Sequence, residues 1–231
     1  FDTSLNKVFA DEALDGNEIK KDIKSLEKLF LQTKYLVCGT IILSSSLSKD
    51  CIHFLLKIAN NFDVKIIIDL NWREVFWDCA TSASETSKRE RVDLIINFLN
   101  NVHILKLAKE EAILFFDNEN PSEISETLLN RPDIIITDGA NPISWFINGV
   151  QGTTEVIHSP NIVDTTGAGD AFLAGFISQL ISFNYPSNES EIQNCVSYAS
   201  VCGLLTCLDE GAIEPQPHHS KVKEFLGSKI L

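Results

Sequence analysis

Apolar and polar positions alternate along this chain in blocks that read as strands and helices in turn. Phe1 to Asp15 is weakly periodic and reads as a strand end followed by a loop. Ile19, Ile23, Leu26, Leu29 and Phe30 recur at helical spacing, with lysines and acids between them. Tyr35 to Cys38 reads as a buried strand ended by Gly39. Ser44, Ser45, Ser46 and Ser48 read as caps of a helix from Lys49 to Asn60, with His53 on its half-buried side. Val64 to Leu70 is a strand, followed by a polar loop, Asn71-Trp72-Arg73, and by Phe76-Trp77. Ser82 to Lys88 reads as a loop, and Val92, Ile95, Ile96 and Leu99 predict an amphipathic helix. Val102 to Leu107 is the next strand, with a short helix after Ala108 and another over Pro121 to Asn130. Asp133 to Thr137 is a strand turned by Asp138-Gly139. Ile143 to Ile147 and Thr153 to Ile157 predict a hairpin around Asn148-Gly149. Helices are expected over Ala171 to Ser182 and Ile192 to Leu208, with Pro215, Pro217, His218 and His219 opening the last segment as loop and helix start. Strands alternating with helices predict an α/β fold, a parallel-rich sheet with helices on both faces.

One stretch breaks this rhythm. Asp164-Thr165-Thr166-Gly167-Ala168-Gly169-Asp170-Ala171-Phe172 lies between the apolar Ile162-Val163 and a long apolar segment, and reads as strand end, glycine turn and helix start. Glycines permit a tight turn and close backbone approach. The first N–H groups of a helix lack partners and form an anion site. A carboxylate at Asp170 suits a loop that holds a transferring phosphoryl group while the acid faces the attacking hydroxyl as general base. Taken alone, Gly-x-Gly-Asp is usually a glycine turn with an ordinary first-turn acid.

The full run resembles the C-terminal signature of the ribokinase-like (PfkB-type) carbohydrate kinases. The resemblance implies a ribokinase-like three-layer fold and an ATP-dependent, magnesium-requiring sugar kinase of fructokinase type. In that family Gly167, Ala168 and Gly169 would form the anion hole and Asp170 would be the catalytic base. Asp69-Leu70-Asn71-Trp72-Arg73 followed by Phe76-Trp77 resembles the fructokinase stretch that places an arginine on the sugar side, which assigns substrate contacts to Arg73 and Asn71. The family's Asn-x-x-Glu motif falls on Ala108 and Glu111. Glu111 would help arrange magnesium and phosphate indirectly, and Ala108 departs from the motif. Thr137, Asp138 and Gly139 would contact nucleotide phosphates. Thr166, Gly203 and Gly211 would join the ATP site, with Gly211-Ala212 closing the adenine pocket. Asp164 and Thr166 are candidates for holding a potassium ion, with capping as an equal alternative.

Composition adds limits. The net charge of −13 argues against a nucleic-acid or anionic-membrane partner held by bulk charge. No run suggests a membrane span or a signal peptide, and six cysteines without Cys-x-x-Cys spacing read as reduced thiols, so a cytoplasmic protein is expected. The chain has no Met, and Phe1 reads as an interior start. The family's first strands, lid and Gly-Gly sugar motif have no counterpart upstream of Tyr35. The expectation is therefore one ribokinase-like domain over 1–231, N-terminally incomplete and a poor kinase by itself, with a small-molecule sugar as partner and a homodimer left open. The competing reading is a kinase-like protein that has lost catalysis and serves as a structural or regulatory partner. A dinucleotide binder is disfavoured, because no Gly-x-Gly-x-x-Gly follows the first strand.

Overall fold

A computed structural model describes residues 14–74 and 85–228. The expectations for residues 1–13, Phe76-Trp77, Cys79 and the loop 82–84 lie outside these residues. The chain divides into two compact units, one holding residues up to Glu119 together with Glu123–Pro132, the other Asn120–Ser122 together with the chain from Asp133 onward.

The first unit opens with two short helices, α1 (Gly16–Lys20) and α2 (Ile23–Phe30), instead of one continuous helix. The break is at Asp22, whose carboxylate accepts from the Ser25 N–H and so starts a new helix. Strand β1 (Tyr35–Gly39) runs parallel to β2 (Lys65–Asp69), which runs parallel to β3 (Ile104–Ala108). The run Ile66, Ile67, Ile68 is fully buried, as expected of a parallel strand covered on both faces. By contrast β1 is only half-buried, with Val37 exposed, which corrects the expectation of a buried strand. Helix α3 (Ser46–Asn61) begins three residues earlier than the sequence suggested, and Ser45 at its N-cap makes no side-chain capping bond. The Ser44 hydroxyl donates to the Ile41 carbonyl instead, so the serines do not cap as expected. His53 is exposed, edge-on to Phe98. Helix α4 (Glu85–Leu99) takes in Glu85 to Lys88, which the sequence read as loop, and buries Ile95, Phe98 and Leu99. Helix α5 (Lys109–Phe116) follows β3 directly. Helix α6 (Pro121–Thr127) is shorter than expected.

In the second unit β4 (Asp133–Asp138), β5 (Asn141–Ile147) and β6 (Val150–Thr154) form an antiparallel meander. Asn148 (φ 51°) and Gly149 (φ 77°) make the two-residue turn that matches strand twist, and Ile147 pairs with Val150 directly across it. That tight closure corrects the second strand from Thr153–Ile157 to Val150–Thr154. Trp145 is fully buried, donates from Nε1 to the Thr154 hydroxyl at 3.0 Å, and fills the space left by Gly152, where a Cβ would sit 2.5 Å from its ring. Helices α7 (Ala168–Ser182) and α8 (Glu189–Thr206) pack face to face. Gly175 makes this possible, since a Cβ there would meet Cys202 Sγ at 2.7 Å and Ala199 Cα at 3.1 Å. Cys195 and Cys202 are buried free thiols, pushed up by burial to about 12 and about 11 respectively. Helix α9 (His219–Ser228) is tied to α8 by a 2.7 Å hydrogen bond between the Tyr198 hydroxyl and His219 Nδ1. No helix among the described residues is long and apolar enough to cross a membrane.

Candidate active site

The signature stretch is held in shape by its own side chains. Asp164 Oδ1 accepts from the Thr166 N–H at 2.9 Å and the Thr166 hydroxyl at 2.7 Å, while Oδ2 accepts from the Gly211 N–H at 3.1 Å. These donors hold the Asp164 carboxyl below its ordinary range, the Thr166 hydroxyl having the largest effect. Asp164 thus ties the loop to the Gly211-Ala212 turn. Gly167, with φ +78°, lies against that turn so closely that a Cβ would stand 2.9 Å from Ala212 Cα. Gly203 on α8 lets the first turn of α7 approach, its Cβ position lying 3.0 Å from the Ala168 carbonyl oxygen. The preceding Ile162-Val163 is not a strand. Both residues are exposed, and the Val163 N–H donates to the Cys207 carbonyl at 2.8 Å, which anchors the loop without a sheet.

Helix α7 begins at Ala168, whose N–H makes a 3.3 Å bond back to the Thr165 carbonyl. Ala171 is the first residue to donate in the α-helical manner, to Gly167 at 2.9 Å. Among the described residues no acceptor engages the N–H groups of Gly167, Gly169 or Asp170. They cluster at the positive end of a 15-residue helix, an arrangement able to bind an anion. The Asp170 side chain is exposed in the same first turn.

Beside them opens a cleft of about 320 Å³. Thr137 and Gly139 from the end of β4, Ala168 and Gly169 from α7, and Gly203 from α8 all line it. The pairing of β4 with β5 shifts register between Ile136 and Asp138, which takes Thr137 out of the regular ladder at the cleft wall. Asp138, Thr166 and Gly211 lie outside the lining. Sequence reasoning missed the segment after β6, which supplies Val156, Ile157 and His158, and missed Phe172, Ser200 and Cys207. An apolar run after a hairpin carries no marker of a binding wall, so nothing in the sequence singled it out.

The remaining predicted residues belong to the first unit. Lys106 Nζ donates to Asp69 Oδ2 at 2.7 Å, with both side chains almost wholly buried. Past the end of β2, Asn71 adopts the left-handed conformation (φ 43°), and exposed Arg73 folds back so that Nη1 donates to the Trp72 carbonyl at 3.2 Å. Glu111, buried in the first turn of α5, accepts from the Trp72 N–H at 2.6 Å and the Ala108 N–H at 2.7 Å. Burial pushes its carboxyl up and Asp69 adds to this, while the two N–H groups and Lys106 pull the other way. Among the described residues no group of three or more His, Cys, Asp or Glu side chains could hold a metal ion.

The chain matches the model of the pfkB family of carbohydrate kinases over residues 5–219. It belongs to that family. One pfkB relative is the probable fructokinase-6 (chloroplastic) of Arabidopsis thaliana, 28% identical over 227 residues, an alignment covering 96% of this chain and 55% of that protein. The fold is also that of a fructokinase with bound ATP from Xylella fastidiosa, with a TM-score of 0.74 at 18% identity over 89% of this chain and 65% of the other. A putative ribokinase II from E. coli in complex with ATP and Mg2+ gives a TM-score of 0.74 at 18% identity, covering 94% and 64%. The α/β ribokinase-like fold expected of a pfkB chain is therefore established. The chain spans 55% to 65% of the length of these relatives.

Proposed function

We propose that this chain forms the phosphate-binding and base-bearing part of an ATP-dependent sugar kinase of fructokinase type. The observation that carries the reading is the set of unengaged N–H groups at Gly167, Gly169 and Asp170 beside the 320 Å³ cleft. Gly167, Ala168 and Gly169 form the anion hole for the γ-phosphate, and the cleft between β4, α7 and α8 takes the nucleoside end of ATP. Asp170 accepts the proton of the sugar hydroxyl as that oxygen attacks phosphorus in line and the bond to ADP breaks. Thr137, Asp138 and Gly139 position phosphates, and Thr166 and Gly211 act through the Asp164 brace. Asn71 and Arg73 orient the sugar. Magnesium would enter with the nucleotide and neutralise charge on the phosphates, with Glu111 acting on it only indirectly. The donor set of Asp164 suits a turn brace, and a potassium requirement tested against sodium decides whether it also serves a cation.

The test is phosphate transfer to fructose from ATP and magnesium, alongside nucleotide binding by calorimetry. Asp170→Asn should keep nucleotide affinity and lower kcat by about 10²–10⁴-fold, the usual worth of a general base. Near-normal turnover in that variant sinks the assignment. The second reading, a partner protein without catalysis, is favoured by Ala108, which brings no polar side chain to the Asn-x-x-Glu position. Nucleotide binding with no transfer to any hexose would select it.

A further inference from the structure

We infer that Glu111 is a positioning residue that clamps the Asn71-Trp72-Arg73 loop. Each of its carboxylate oxygens already receives a backbone N–H, and the two donors come from different segments. Ala108 precedes its own helix, and Trp72 lies 39 residues away in sequence. One turn further along α5, Phe115 meets the Trp72 ring edge-on, with centroids 5.5 Å apart and planes at 76°. Residues spaced by four share one helix face. A single face of α5 therefore holds Trp72 twice, by its peptide N–H and by its ring. The Trp72 carbonyl on the other side accepts from Arg73. Asn71, immediately before, is in a left-handed conformation that is uncommon outside glycine and needs its surroundings to hold it.

The strand ends beneath the loop are fixed as well. The Leu70 N–H donates to the Lys106 carbonyl at 2.9 Å, and the Lys106 ammonium meets Asp69 at the same level. Ala108 fits this arrangement: the residue where the motif would carry Asn contributes only its N–H, and contributes it to Glu111. A buried carboxylate with a backbone donor on each oxygen is a brace. The clamp stands on this geometry alone. Its consequence, that Glu111 sets the placement of Arg73 for the acceptor sugar, rests on the kinase reading above.

The experiment follows the backbone amides of Trp72 and Ala108 by NMR in the full 15N-labelled chain, with hydrogen exchange. In the wild type both amides should exchange slowly. Glu111→Gln presents an NH2 donor to one of the two N–H groups, so exchange at Trp72 or at Ala108 should quicken by about tenfold or more, as loss of a charge-assisted bond implies. Phe115→Leu, which keeps the carboxylate, should quicken Trp72 but not Ala108. Where transfer is measurable, Glu111→Gln should raise the sugar KM. Unaltered exchange at both Trp72 and Ala108 in Glu111→Gln overturns the clamp. So does fast exchange of both amides in the wild type, an outcome that needs no variant to fold. None of the amide measurements requires catalysis, so failure of the kinase reading and failure of the clamp are separable.

Discussion

Replacing Gly167 by Ala separates two demands that the signature loop makes on one residue. Gly167 has φ +78°, and a Cβ there would stand 2.9 Å from Ala212 Cα and Cβ and 3.0 Å from the Ala212 oxygen. Gly149 in the β5–β6 turn has φ +77° with nothing within 4 Å of its Cβ position. The two sites share a backbone strain and differ in the collision. Strain alone costs about 1–2 kcal/mol for a residue with a Cβ. Pushing a methyl into backbone that cannot swing aside adds about 1–3 kcal/mol. Gly149→Ala should therefore lower Tm by roughly 2–8 °C, and Gly167→Ala by roughly 4–20 °C, at about 2–4 °C per kcal/mol for a chain of this size. The informative quantity is the difference between the variants, measured by calorimetry on both at one pH. Because the collision pushes the loop off the Gly211-Ala212 turn, Gly167→Ala should also weaken nucleotide binding, while Gly149→Ala should not. Equal destabilisation by the two substitutions would refute the close approach of the loop to Ala212, and with it the account of why a glycine stands there.

Other regions give equally direct tests. His103 Nδ1 accepts from the Ile66 N–H at 3.1 Å, and burial together with Lys65 lowers the imidazole's pKa. A folded value below the unfolded one, about 6.5, leaves stability untouched above that pH and erodes it as pH falls below. The urea midpoint should drop between pH 7 and 5.5 in the wild type and drop less in His103→Asn. Lys106→Met removes the cation 2.7 Å from buried Asp69 and should cost about 3–5 kcal/mol, most of it recovered when Asp69→Leu is added, as denaturant unfolding of both variants will show. Gly175→Ala should cost about 1–3 kcal/mol through its contact with Cys202 Sγ, and a thermal-melt cycle should show Cys202→Ala relieving it.

What the sequence disclosed depended on whether the deciding interaction was local. The Asn148-Gly149 turn was legible because positive φ at two adjacent residues is a demand of the turn itself. The start of α7 was legible only to within a turn, since the helix begins at Ala168, three residues before the expected Ala171, directly after Gly167 with φ +78°. The end of β6 was not, since Thr153 to Ile157 has the right alternation and only the tight turn forces pairing to begin at Val150. The serines before α3 have the chemistry of caps, yet the one at the cap position makes no such bond, because local residue type cannot specify how the chain enters the helix. Ile162-Val163 has the composition of a strand, but the Val163 N–H finds the carbonyl of Cys207 just past the end of α8, a residue too far along the chain for any window to supply. Glu111 makes the point for the site. Two acids after a strand look like dipole partners of the helix they begin, and family likeness suggests an orientation toward phosphate and metal. Its second donor, Trp72, is remote from α5 in sequence, so the clamp exists only once β2 and β3 are side by side. The glycine cradle is therefore written in nine consecutive residues and braced by the Gly211-Ala212 turn, whereas the loop that would meet the sugar is a property of the sheet, and substitutions in α5 should reach it without touching it.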